Sequence, residues 1–193
     1  MKFFRDPSFR RITPLSLAAL LLACALAAAA TQWRMQPQQS KLSFVATQAG
    51  APFEGVFEKF TADIRFDPQD LDASRFEVAI DLSSVDTGDA ERNEILQGPD
   101  LFAVQQWPSA RYVAGRFSDA GGGKYTASGK LTLRNVTRDV PLRFTFEKND
   151  TGAWLRGEAR LQRLDFGVGQ GEWRDTDAVA NEVAVRFALL LQP

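Results

Sequence analysis

From Lys41 to the C-terminus, apolar and polar residues alternate along most of the chain with a period of two. Leu42, Phe44 and Ala46 share one face of "LSFVA", and Phe60, Ala62, Ile64 and Phe66 share one face of "KFTADIRF". In "RFEVAIDLSSV" the apolar set is Phe76, Val78, Ile80 and Leu82, with Glu77, Ala79, Asp81 and Ser83 between them. Successive side chains of a strand point to opposite faces, so each segment reads as a strand with one buried and one wet face. The rhythm resumes at Tyr125, Ala127, Gly129, Leu131 and Leu133, then at Val140, Leu142, Phe144 and Phe146. It continues through "AWLRGEARLQ" and ends with Val183, Val185, Phe187 and Leu189. The strings "FDPQDLDAS", "SDAGGGK", "RNVTRD", "EKNDTG" and "GVGQGEW" are turn signals that divide the strands. The pattern predicts roughly eight to ten antiparallel strands in a meander. No long helical segments alternate with them, which argues against a parallel α/β fold.

One stretch breaks the rhythm. In "VDTGDAERNEIL", Asp89 is placed to cap a helix running to Leu96, and Gly98 and Pro99 stop it. A further single turn can start at "PDLF". This insert, at about 90–104, has too little apolar surface to be a core element. It is expected to lie across one end of the strands through Ile95, Leu96, Leu101 and Phe102, as a lid or plug.

A sheet with so apolar a face must close into a barrel or pack on a second sheet. The chain's fifteen phenylalanines, twelve of them after residue 30, make that face bulky. Such rings either fill an interior or line a cavity that a ligand completes, and periodicity does not separate the two.

The N-terminus has a different character. Lys2, Arg5, Arg10 and Arg11 precede "LSLAALLLACALAAAA", and small residues lead to Thr31. A basic region, a short apolar run and a small-residue exit predict a secretory signal peptide over residues 1–30. Lipidation at Cys24 is the competing reading, although the residues after it stay apolar. The Arg10-Arg11 pair lacks the apolar pair expected of twin-arginine export, and an uncleaved anchor is the remaining alternative. Removing residues 1–30 takes four basic residues and Asp6 from the 23 basic and 24 acidic residues, leaving a net charge of about −4. That balance argues against a nucleic-acid partner. The chain's single cysteine leaves with the same segment, so the expected mature domain is held by its core and not by disulfides.

Candidate chemistry is sparse. The chain has no histidine, which removes the commonest general base and the usual zinc and haem ligands. Glu91 with Glu94, and Asp175 with Asp177, are carboxylate pairs, but they sit at helix or turn positions where solvated charge is the ordinary explanation. "FDPQDLDAS" lacks the glycine and terminal glutamate of an EF-hand loop. "GVGQGEW" opens no helix and so is no phosphate cradle; its glycines fit a bulge or a close backbone approach. Arg92 is the one charged residue on the insert that could meet an anionic head at a barrel mouth, with an ion pair to a neighbouring carboxylate as the plainer alternative. The reading is of a protein that is not an enzyme, with no metal and no cofactor.

Several longer strings carry a resemblance. "FEGVFEKFTADIRFDPQDLDASRFEVAIDLSSVDTGDAERNEILQGPDLFAVQQWPSARY", "SGKLTLRNVTRDVPLRF" and "RLDFGVGQGEW" resemble the YceI-like family of lipocalin-like, polyisoprenoid-binding proteins. The likeness runs from about Trp33 to Leu190. It implies an all-β fold: an extended eight-stranded antiparallel barrel with an elongated apolar lumen for an isoprenoid or other lipid tail. It also implies a periplasmic carrier whose ligand is a polyprenyl phosphate or a quinone, held as cargo and not as a cofactor. Association with a cytochrome b561-type membrane redox protein, and a homodimer, are further family-level expectations. An interaction or envelope-stress scaffold is the alternative function. Many relatives have a histidine where this chain has Ile95 and an acidic residue where it has Asn93, so a polar site built on that histidine does not carry over.

On this reading the lumen is lined by Phe44, Phe60, Ile64, Phe66, Val78, Ile80, Leu131, Leu133, Leu142, Phe144, Val183, Val185 and Phe187. Arg92, Ile95, Leu96, Leu101 and Phe102 form the lid or meet the headgroup.

Overall fold

The computed structural model describes residues 31–193. The signal peptide and the lipidation alternative at Cys24 fall outside the described residues. Eleven strands form a single antiparallel sheet: β1 (Gln32–Met35), β2 (Lys41–Gln48), β3 (Ala51–Phe57), β4 (Phe60–Arg65), β5 (Arg75–Asp81), β6 (Val85–Asp86), β7 (Ser109–Gly121), β8 (Lys124–Leu133), β9 (Val136–Asn149), β10 (Gly152–Gln162) and β11 (Glu182–Gln192). Among the described residues one α-helix, α1 (Ala90–Gln97), interrupts them.

Register reduces the eleven segments to eight courses. β1 pairs with β4, from Gln32 opposite Arg65 to Arg34 opposite Asp63. β2 pairs with β3, from Ser43 opposite Val56 to Gln48 opposite Ala51. β1 and β2 are therefore one bent course lying against another made of β3 and β4. β5 and β6 make the third course, since β5 pairs with β4 and β6 with β3. The breaks at 36–40, 58–59 and 82–84 line up across the sheet as a crease. Ser84 fixes part of it: its Oγ accepts from the Lys59 amide at 3.0 Å, and its carbonyl accepts from the Glu58 amide at 3.1 Å.

β7 to β11 follow as a plain meander, and β11 pairs with both β10 and the first course, through Met35 opposite Leu191 and Phe44 opposite Val185. The sheet is thus a closed eight-stranded antiparallel barrel, and closure removes the unpaired strand edges. One turn is tighter than its composition indicates. Only Arg134 and Asn135, at φ 48 and 59, connect β8 to β9, so most of "RNVTRD" is strand. Three strands that plain alternation did not mark, β1, β3 and β7, complete the barrel.

Inward residues fill the two ends differently. At the end holding the N-terminus of β1 and the β7–β8 turn, aromatic rings pack solid. Phe66 has Phe76, Phe117, Tyr125, Phe144 and Phe146 at ring-centroid distances of 5.0–5.9 Å. Edge-to-face pairs at these distances add to the burial of area. Trp33 closes the cluster, its Nε1 donating to the Phe66 carbonyl at 3.0 Å. No helix among the described residues is long and apolar enough to cross a membrane.

Candidate ligand-binding site

The other half of the barrel is hollow. A cavity of about 400 Å³ runs from Ile64, Phe76 and Leu155 above the aromatic base to Phe102 and Trp173 near the mouth. This is within the size range of small-molecule sites. Its wall is almost wholly apolar. Phe53, Phe57, Phe60, Val78, Val185 and Phe187 are only half-buried although they point inward, because the cavity itself is their neighbour.

Eleven of the thirteen predicted lumen residues line this space: Phe44, Phe60, Ile64, Val78, Ile80, Leu131, Leu133, Leu142, Val183, Val185 and Phe187. Phe66 and Phe144 do not. Both belong to the packed base, where their rings meet at 5.2 Å. Alternation put all thirteen on the inner face correctly, but a barrel interior has two zones along its axis and the pattern carries no coordinate along that axis.

The mouth is built by three segments: α1 with the turn after it, the tip of the β2–β3 hairpin, and the loop between β10 and β11. Asp89 caps α1, its Oδ1 accepting from the Glu91 and Arg92 amides at 3.1 Å. Leu101 and Phe102 are buried and plug the helix turn into the barrel, and Leu96 packs beside them. Ile95 is 37% exposed and sits at the rim. Arg92 also reaches the cavity, where its Nη2 lies 3.6 Å from Asp89 Oδ2 and its guanidinium 4.7 Å from the Phe53 ring centroid. The plainer alternative for Arg92, an ion pair with its neighbour, is therefore present. Asn93 faces the barrel end and anchors the helix: its Oδ1 accepts from the Thr87 amide at 2.9 Å and its Nδ2 donates to Asp86 at 3.0 Å.

The loop opposite is shaped by Arg163, which is 3% exposed. Its guanidinium donates to the carbonyls of Ala180 (3.1 Å), Val168 (2.9 Å), Val179 (2.6 Å) and Asp175 (3.5 Å). Burial lowers its pKa, and the carbonyl oxygens replace the water it loses. Gly169 makes this possible, because a Cβ there would lie 1.8 Å from Arg163 Nη1. The glycines of "GVGQGEW" thus serve a close approach. Gly169 and Gln170 donate their amides to the Asp100 carbonyl at 2.8 and 2.9 Å, tying this loop to the turn after α1. The hairpin tip is tied in turn, with the Ala49 amide bonded to the Ala178 carbonyl at 2.9 Å.

Several lining residues were not singled out from sequence. Phe53, Gly55 and Phe57 alternate in β3, and Ala110, Tyr112 and Ala114 alternate in β7, so the same signal was present there. Trp173 and Arg163 lie outside any strand and gave no periodic signal. Tyr112 is buried against the wall and donates its hydroxyl to the Val140 carbonyl at 3.0 Å.

Among the described residues no group of three or more histidine, cysteine, aspartate or glutamate side chains is placed to hold a metal ion. What the arrangement offers is an apolar, open-ended container.

Comparison with known proteins gives the same architecture. The family model described as the YceI-like domain matches residues 33–191. The crystal structure of Burkholderia cenocepacia BcnA is 36% identical, covers 81% of this chain and 98% of its own, and superposes with a TM-score of 0.79. A polyisoprenoid binding domain from Saccharophagus degradans, implicated in plant cell wall breakdown, is 17% identical over 83% of this chain and 97% of its own, with a TM-score of 0.64. At that identity the likeness shows the fold. A UPF0312 protein of Vibrio vulnificus is 26% identical over 159 residues, 78% of this chain and 84% of the relative.

Proposed function

The chain belongs to the YceI-like family, and from that premise we propose that it is a non-enzymatic carrier in the periplasm that holds the tail of an isoprenoid or related long-chain lipid in its barrel. The observation that carries this reading is the cavity: about 400 Å³ of space walled by inward apolar side chains that the folded protein leaves half-buried. Leaving apolar wall uncovered is unfavourable, and an apolar tail that covers it gains about 0.8 kcal/mol per buried methylene. A dozen such groups support roughly micromolar binding after the cost of ordering the chain. The Saccharophagus degradans relative, which shares the fold, is named for binding polyisoprenoids, in agreement with this reading.

The walls also speak to the shape of the ligand. Phe44, Phe57 and Phe187 present rings on different courses of an almost wholly apolar wall, so the grip is on shape and apolar area and not on a patterned set of hydrogen bonds. The lumen continues toward the base until the rings around Phe66 stop it, so the tail enters from the lid end and the head stays at the mouth.

Native mass spectrometry, then solvent extraction, on protein exported to its own compartment and purified without detergent tests the proposal. A stoichiometric isoprenoid or quinone in the extract is the expected result. A clean apo mass, with no uptake of added prenyl lipid, would overturn it.

A further inference from the structure

The mouth of the cavity constrains the ligand's head, given the lipid-binding reading above, on which this inference rests. Of the three segments that border it, residues 89–100 carry Asp89, Glu91, Glu94 and Asp100 against Arg92, and residues 171–179 carry Glu172, Asp175 and Asp177 against Arg174. The hairpin tip, residues 48–52, is uncharged. Asp89 and Glu91 belong to the cavity wall itself. Glu91 has no ion-pair partner among the described residues.

The two cations of the cavity wall are already committed, and Arg174, exposed on the loop outside the wall, is flanked by Glu172, Asp175 and Asp177. Arg92 pairs with Asp89 and lies over Phe53. Arg163, the other cation of the wall, gives its protons to four backbone carbonyls. Arg134, on the outer side of the same end, donates to the carbonyls of Pro99 and Leu101 and lies 4.9 Å from the Trp107 ring centroid. The N-terminus of α1 would attract an anion, but Asp89 already occupies the amides of Glu91 and Arg92. A phosphate brought to this rim would shed water, gain no free cation from the cavity wall, and face a surplus of carboxylates. An uncharged head meets none of these costs, and Gln48 offers an amide at the same rim.

We propose that the mouth selects by charge: the protein takes long apolar chains with an uncharged head, such as a prenyl alcohol or a quinone ring, and discriminates against the same tail bearing a phosphate. Glu91 is the residue on which this selection chiefly depends, because it is on the cavity wall and its charge is uncompensated. The interaction is between exposed charges, so added salt weakens it.

Equilibrium binding of geranylgeraniol and of geranylgeranyl phosphate to lipid-stripped protein tests this, since the tails are identical. The alcohol is expected to bind on the order of tenfold more tightly at low salt. The ratio should shrink at high salt, shrink in Glu91→Gln and shrink further or reverse in Glu91→Lys. Equal or tighter binding of the phosphate, or a ratio indifferent to salt and to both substitutions, would overturn the inference while leaving the carrier reading intact. Binding of neither compound would remove the carrier reading and this inference with it. If Glu91→Lys loosens α1, the salt series and Glu91→Gln still decide the question.

Discussion

Phe44 in β2 stands directly opposite Gly55 in β3, and its ring lies where a side chain on residue 55 would be: a Cβ there would be 2.4 Å from Phe44 Cζ. Laid flat on the glycine, the ring lines the wall instead of crossing the lumen. Tyr112 over Gly129 and Phe187 over Gly157 repeat the arrangement, with hypothetical Cβ contacts of 2.1 and 2.7 Å. These glycines help to keep a barrel so rich in aromatic residues open.

Gly55→Ala is therefore expected to swing Phe44 inward. Overpacking of this kind costs roughly 1–3 kcal/mol. Thermal unfolding should show that loss, and binding of a prenyl lipid should weaken by more than stability alone explains, because the displaced ring occupies the ligand's volume. A variant that binds as well as the parent would show that the ring finds another wall position.

The two zones of the interior should respond oppositely to changes in volume. Phe66→Ala removes the centre of the aromatic base and is expected to cost about 3–5 kcal/mol. Val183→Phe adds bulk beside empty space, so it should leave the melting temperature nearly unchanged while lowering affinity for long chains more than for short ones. Calorimetry and a chain-length series read both.

Arg163→Met keeps an unbranched apolar stem and removes the guanidinium donors. Four carbonyls lose their partner in a nearly enclosed site, and about 3 kcal/mol of stability should go with them. Hydrogen exchange is expected to accelerate over residues 168–180 ahead of the strands. Uniform acceleration would mean that the arginine supports the barrel and not specifically its mouth.

Burial pushes the Tyr112 hydroxyl well above the ordinary tyrosine range. Its folded pKa is raised, so the folded state holds the proton more tightly than the unfolded chain, and the stability this provides is present below about pH 10 and lost as pH rises beyond it. Denaturant titrations at increasing alkaline pH should show stability declining from about pH 10, with a shallower decline in Tyr112→Phe. The same variant removes the hydrogen bond to the Val140 carbonyl and should be about 1 kcal/mol less stable near neutral pH.

Period-two alternation by itself determined the class of fold, most strand positions and which side chains face inward, because the direction of a side chain along a strand is a local property of the backbone. The cap at Asp89 and the stop at Gly98 made α1 legible for the same reason. Other features depend on contacts between residues far apart in the chain. β1 and β3 are recognisable as parts of longer courses only when paired with β4, β2 and β6, and the crease at Ser84 exists only because three breaks align. Whether an inward phenylalanine packs or lines a cavity was decided the same way. Phe144 meets Phe66 and Tyr125, so it fills the base, whereas Phe187 lies over Gly157 and leaves the space before it open. Volume inside a closed barrel is shared among all eight courses, so no single strand's sequence can say how much of it remains.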